Sequence, residues 1–411
     1  MTYLGFFIKY RRILTFSVLL TFFSSFGQTF LLSIFLLDFA RAFDLTEGNL
    51  GVMYGVATVF SALLLPWTGR QIDRIPLANY TLAVACALAL AAALVAVAPH
   101  WTVFFIALLA LRHLGQGLCG HIAMTTTSRS FVRNRGKAVA IAGTGFPLSE
   151  MILPTLATLS LIYFGWRISW GVSAVLIAVV LVPLSYLLIV RSSRVEDVLP
   201  RIDKSDSESS PSKWRARNLL LDYRFYLLLS TLIPIGFFST GFIFYQAVIA
   251  ENRGWGEHVF AIAFAAFAGT RAITALGAGP WIDRLSAVRL LPVHMILILM
   301  SGVLLVFGTG EWAAYLYLIF LGLSMGIGGS VGSAVWAEIY GVENLGGIRS
   351  IAGMIGILST AFAPLIFGLL LDMKVPVHTI LAGALVCILT LTIFSFFASS
   401  FLSRDRTRRR H

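Results

Sequence analysis

Along the 411-residue chain, apolar residues come in unbroken runs of about twenty, separated by short clusters of charge, glycine and proline. A helix needs about twenty such residues to cross a bilayer core of roughly 30 Å, whereas the strands of a membrane barrel are about ten residues long and alternate in polarity. The pattern predicts helices. It places twelve spans at roughly 13–36, 49–68, 79–99, 101–126, 138–162, 168–190, 224–250, 258–281, 290–309, 312–338, 350–372 and 376–402. Composition agrees, with 58% of residues hydrophobic and 12% charged and a mean hydropathy of +0.86. No ordinary soluble domain hides so much apolar surface. Lys9, Arg11 and Arg12 precede the first run as they would in a secretory leader. Its apolar stretch is longer than a leader core, and no small-x-small site closes it before Asp38, so a retained helix is expected.

The net charge of +12 would suggest nucleic acid in a soluble chain. The placement of the basic residues excludes that partner. If both termini lie on one side, the segments on that side hold 25 of the 31 Lys and Arg, and the other side holds only Arg41, Arg167, Arg253 and Lys374. That bias marks the cytoplasmic face, so a multi-pass protein of the plasma (inner) membrane with both termini cytoplasmic is expected. The ending RDRTRRRH suits the anionic headgroups of the lipid bilayer, with a specific partner as the alternative. Cys86, Cys119 and Cys387 all fall inside spans and read as small apolar fillers.

Residues 191–222 are polar, Ser-rich and charged, with six predicted spans on either side. They read as a cytoplasmic linker between six-helix bundles at 1–190 and 223–403, with 404–411 as a basic tail. The halves repeat one another. GRQIDR at 69–74 and GPWIDR at 279–284 place Gly, Asp and Arg alike at an offset of 210 residues. At the same offset IAGTGFPLSEMILP (141–154) and IAGMIGILSTAFAP (351–364) share six of fourteen positions. Two matches at one offset indicate a duplicated six-helix unit.

These residues resemble the major facilitator superfamily, whose members carry a Gly-x-x-x-Asp-Arg loop between spans 2 and 3 and a weaker copy between spans 8 and 9. Gly69, Asp73 and Arg74 match the first loop, and Gly279, Asp283 and Arg284 the second. RHLGQGLCG (112–120) is similar to the family's span-4 motif with the Gln and Gly order shifted, and FGWR (164–167) is also usual there. The likeness covers nearly the whole chain. It implies an all-α membrane protein with twelve transmembrane helices in two pseudo-symmetric six-helix bundles. It also implies that both loops are gating latches that close the cytoplasmic side and release during the cycle. Glycine would allow close backbone approach, and the aspartate could sit at a neighbouring helix N-terminus and pair with the arginine beside it. A plain positive-inside loop is the alternative. The first loop departs from the family by running into Ile75-Pro76-Leu77, where glycine and further basic residues are usual, and span 5 supplies only part of the drug-antiporter pattern.

Charges near the bilayer midplane are costly and therefore candidates for function. Arg112 in span 4, Glu150 in span 5 and Arg271 in span 8 each lie about a dozen residues deep. Spans 4 and 5 could bring Arg112 and Glu150 together. That pair is either a neutralising bridge or a proton-coupling site in which Glu150 exchanges a proton and Arg112 tunes it or binds substrate. Positions 267 and 275, one turn from Arg271, are Phe and Ala, so its counter-charge must come from another helix or the cargo. Monocarboxylate-porter-type members also keep an Arg in span 8, usually with an Asp a turn earlier, where this chain has Phe267. The resemblance implies a central path lined by spans 1, 4, 7 and 10, with 2, 5, 8 and 11 beside them.

Further substrate-binding candidates are Gln28, Gln116, Tyr245 and Gln246, each of which could equally be a helix–helix hydrogen bond. His113 and His121 could carry protons or be satisfied core histidines. The glycine-rich stretch 322–336 lacks the Lys-Ser/Thr ending of a nucleotide loop and reads as close helix packing. No Walker motif, zinc-spaced Cys/His set or nucleophile triad is present, so no cofactor, no metal and no enzyme activity are expected. The reading is a monomeric secondary transporter moving a small organic solute, an organic anion with protons by symport, through alternating access. The alternatives are an exporter of amphipathic or drug-like compounds by proton antiport, and a transporter-like receptor without turnover.

Overall fold

A computed structural model describes residues 3–131, 134–190, 216–341 and 345–408. Most of the expected linker (191–215), the end of the basic tail (409–411) and the side chain of Asp283 lie outside the described residues. Every regular element among the described residues is helical. Among the described residues nine helices are long and apolar enough to cross a membrane, and Arg11–Gly27 with Thr29–Phe43 makes a tenth span across a 44° bend. The 54-residue stretch Lys137–Val190 holds two spans, 5 and 6, because Gly165 breaks it at φ 76° and ψ 166°. Glu257–Leu285, with its apolar segment Ile262–Ala275, supplies span 8 and brings the number to twelve. The remaining spans are 2 (Glu47–Gly69), 3 (Leu77–Val97), 4 (Trp101–Ser130), 7 (Tyr223–Phe244, continued as Gln246–Arg253), 9 (Ala287–Phe307), 10 (Trp312–Tyr340), 11 (Leu345–Asp372) and 12 (Val377–Arg408).

The duplication read from two short motifs holds for whole helices. Span 3 begins at Leu77 and ends at Val97, and span 9 begins at Ala287 and ends at Phe307, both shifted by the 210 residues that separate the motifs. Spans 2 and 8 begin at Glu47 and Glu257. The helices before them end in left-handed residues at the same offset, Asp44 (φ 50°) and Gly254 (φ 66°). A left-handed residue just past a helix stops it by turning the next N–H back onto the last carbonyls.

The chain divides into two compact units, residues 1–45 with 56–207 and residues 46–55 with 208–411. The first turns of span 2 thus belong with the second unit. In each unit an arginine from a neighbouring helix closes the C-terminus of the third span. Arg167 donates to the carbonyls of Ala96 (3.1 Å) and Ala98 (3.0 Å) at the end of span 3. Arg253 donates to those of Leu305, Val306 and Gly308 at the end of span 9. A cation is favoured where unpaired carbonyls and the negative end of the helix dipole meet, which accounts for two of the four basic residues on the side expected to be extracytoplasmic.

Glycines set the closest helix contacts. In span 10, a Cβ at Gly322 or Gly326 would overlap the carbonyls of Phe267 and Arg271 in span 8 and the hydroxyls of Thr270 and Thr274. This packing absorbs part of the glycine-rich stretch 322–336.

Candidate transport site

Span 1 is broken where the sequence reading expected it to be continuous. A 3₁₀ turn at Ser24–Gly27 leads into Gln28, which is extended (φ −86°, ψ 153°), and the helix restarts at Thr29. The sequence signal is the run SSFGQT at 24–29, five small or polar residues and one Phe inside an otherwise apolar span. A break frees backbone carbonyls, which in a water-poor interior must find donors. Arg112 provides them: its Nη1 donates to the Gly27 carbonyl at 2.8 Å, and its Nε donates to Thr58 Oγ1 in span 2 at 3.0 Å. The side chain is 1% exposed. Span 4 accommodates the contact by winding residues Arg112–Cys119 as a π-helix. Such bulges concentrate at functional sites.

Gly115 in that segment lies against Gly27, so that a Cβ on Gly115 would stand 2.7 Å from Gly27 N and 2.9 Å from its Cα. Gln116 belongs to the same contact, its N lying 2.7 Å from where a Cβ on Gly27 would be. Span 5 reaches the break from another side. Thr21 Oγ1 donates to the Ala142 carbonyl at 2.7 Å, and the Ser25 and Ser149 hydroxyls are hydrogen-bonded. Glu150, the residue after Ser149, is buried. Arg112, Gln28, Gln116 and the Ser149–Glu150 pair are therefore all disposed about one interruption of span 1. Thr58, Ser25, Ser149 and the Gly27 carbonyl were not legible in the sequence, because neutral groups in apolar helices give no sign of which neighbour they meet.

In the second unit, Arg271 is half-buried midway along span 8, and its backbone is pressed by span 10 at Gly326. Gln246 and Tyr245 are buried at a bend in span 7. The Tyr245 hydroxyl lies 2.7 Å from the Pro364 carbonyl and 3.1 Å from that of Glu47, and its ring stacks on Phe367. It fastens helices together with the one group through which it would meet cargo.

His113 lies in the π segment with Nδ1 3.4 Å from Ser61 Oγ, and His121 packs against Gly69. The first latch loop is a 3₁₀ turn, Arg70–Asp73, after buried Gly69. A Cβ on Gly69 would stand 3.2 Å from His121 Nε2, a tight contact that a small shift of the imidazole would have to relieve. Asp73 pairs with Arg129 at the end of span 4 (2.6 Å), in place of the expected Arg74, which points into solvent.

The second copy is built differently. Helix Glu257–Leu285 runs straight through GPWIDR, with Gly279 and Arg284 exposed, and the turn is delayed to Ser286 at φ 80°. Glu338 at the end of span 10 holds that turn, accepting from Ser286 Oγ and, at 2.8 Å, from Ala287 N. The position 210 residues beyond Arg129 is Ile339, and the neighbouring Glu338 caps the N-terminus of span 9.

A duplicated six-span unit, with the first span of one copy broken and held by a buried guanidinium in its fourth, defines a polytopic membrane protein of the transporter class. The chain belongs to the Major Facilitator Superfamily, whose sequence model matches residues 17–248 and again 226–411. Among solved structures it is similar to a bacterial homologue of the human lysosomal transporter Spinster. In the inward-facing, unoccupied conformation of that protein the identity is 12%, the TM-score 0.72, and the match covers 97% of this chain and 98% of the other. In its inward-facing, occupied conformation the identity is 14%, the TM-score 0.68, and 97% of each chain is covered. A sequence search of curated proteins finds no match. Family and fold make this protein a secondary transporter that works by alternating access.

Proposed function

We propose that the protein carries a small organic anion together with protons across the plasma (inner) membrane, as a monomer with both termini cytoplasmic. The observation that carries this reading is the permanently charged Arg112, 1% exposed and fastened at 2.8 Å to the broken first span around which Glu150 is also buried. A carboxylate kept from water near a fixed guanidinium is suited to gaining and losing a proton as its surroundings change. Glu150 carries the proton and Arg112 supplies the field beside it. Arg271, with Gln28, Gln116 and Gln246, recognises the carboxylate of the cargo, and Tyr245 serves the helix contact described above. Orientation rests on the 25 of 31 Lys and Arg that share one face.

The test is internal pH in proteoliposomes holding the purified protein, with carboxylates, sugars and cationic drugs added in turn. Acidification with one carboxylate, lost in Glu150→Gln, is the expected result. Intact coupling in Glu150→Gln would overturn the role of that residue. A response to cationic drugs and none to carboxylates would replace the proposal with an exporter of amphipathic compounds, and saturable binding without flux would replace it with a receptor.

A further inference from the structure

Span 9 carries a proline, Pro292, in its interior. Proline has no N–H to give, so the Val288 carbonyl four residues earlier loses its helical donor. Ser399 of span 12 replaces it, its Oγ donating to that carbonyl at 2.8 Å. Two carbonyls just past the proline also accept from neighbouring spans. Ser324 Oγ of span 10 donates to the His294 carbonyl at 2.7 Å, and Thr392 Oγ1 of span 12 donates to that of Met295 at 3.2 Å. All three hydroxyl-bearing residues are buried.

His294 stands in the middle of this seam, fully buried. A Cβ on Gly328 of span 10 would stand 3.5 Å from His294 Cγ and 2.8 Å from Ile235 Cδ1 of span 7, so the glycine leaves the room that those side chains fill. A neutral imidazole has one donor and one acceptor nitrogen, yet neither has a hydrogen-bond partner among the described residues. Burying polar atoms unpaired is costly, and the packing does not require it. At the offset of 210 residues, Pro292, His294, Ser324, Gly328, Thr392 and Ser399 correspond to Leu82, Val84, Leu114, Leu118, Val182 and Ile189. The first unit fills the same positions with six aliphatic side chains.

We propose that His294 makes span 9 the deformable span of the second unit. While the seam is closed the ring nitrogens go unpaired. When span 9 shifts about Pro292 and water enters, they gain partners, so the imidazole shortens the life of the closed seam. The proposal concerns packing within the second unit alone and is independent of cargo and of the proton role of Glu150.

The test is backbone hydrogen exchange in the purified full-length protein, read by mass spectrometry over residues 289–301 of span 9 and the equivalent 79–91 of span 3. After correction for intrinsic rates, 289–301 should exchange faster in the unaltered protein. His294→Leu, apolar and of similar bulk, should slow that segment roughly tenfold, leave 79–91 unchanged, and leave the melting temperature level or higher. His294→Gln, which keeps polar atoms in the seam, should exchange as the unaltered protein does. If His294 only fills space, His294→Leu should instead exchange faster and melt lower. That result would overturn the proposal. So would equal exchange of the two segments in the unaltered protein, or slowing in His294→Gln as large as in His294→Leu.

Discussion

Phe35 and Tyr245, 210 residues apart, take the same helix-bending backbone, with φ −96° and ψ 6° at the first and φ −97° and ψ 19° at the second. Each is followed by eight helical residues, Leu36–Phe43 and Gln246–Arg253, and each of those helices stops in a left-handed residue. The duplication thus extends to the bends of the first span in each unit. Against this shared frame the differences stand out. Gln28 breaks span 1 at a point whose counterpart, Phe238, is in unbroken helix, and Arg112 has Gly322 as its counterpart in span 10. The break at Gln28 and the guanidinium of Arg112 occur together in one unit, and neither is repeated at the offset of 210 residues.

Arg112 should not tolerate replacement by lysine. A guanidinium directs two donors to the Gly27 carbonyl and Thr58 at once, and an ammonium keeps the charge but loses that fork. Arg112→Lys should lower stability by about 2 kcal/mol, seen as a fall in melting temperature in detergent. Gly115→Ala should do the same, since its Cβ would meet backbone atoms of Gly27 at 2.7 and 2.9 Å. Gly171→Ala, with nothing within 4 Å, is the control and should leave the melting temperature unchanged or raised.

The Asp73–Arg129 pair should matter for rate more than for stability. Both side chains are partly exposed, 40% and 29%, and such pairs contribute roughly 0–1 kcal/mol. Asp73→Asn should leave the melting temperature nearly unchanged and slow cargo-driven proton flux, and the exchange Asp73→Arg with Arg129→Asp should restore flux. Restoration by Asp73→Asn with Arg74→Gln would instead make Arg74 the working partner.

Asp222 gives the C-terminal unit an acid-sensitive anchor. Just before span 7 it caps Arg224 N and binds the Arg224 guanidinium at 2.6 Å. Burial pushes its carboxyl up, but the hydrogen bonds and charge of Arg224, with the Tyr340 hydroxyl, outweigh this and hold it below the ordinary carboxylate value of 3.8. A depressed carboxylate contributes stability above the unfolded value and loses it as pH falls through the folded one. Unfolding of the protein and of Asp222→Asn should therefore differ at neutral pH and converge below about pH 4, as thermal melts across pH would show.

The sequence by itself determined the lipid-facing character, the number of spans and the duplication. Each rests on local information: length of apolar runs, and a constant offset that GRQIDR and GPWIDR already display. It singled out Arg112 and Glu150, because charge inside an apolar run is conspicuous. Their surroundings were not legible. That Arg112 serves a freed carbonyl in span 1, that Asp73 chooses Arg129 over its neighbour Arg74, and that Tyr245 faces Pro364 are set by which helices pack together. Spans apolar on all sides carry no stripe to say which face turns inward, so those pairings have no trace in periodicity. They were decided only in the tertiary structure, where glycines bring backbones close enough for a carbonyl or a single N–H to become the partner.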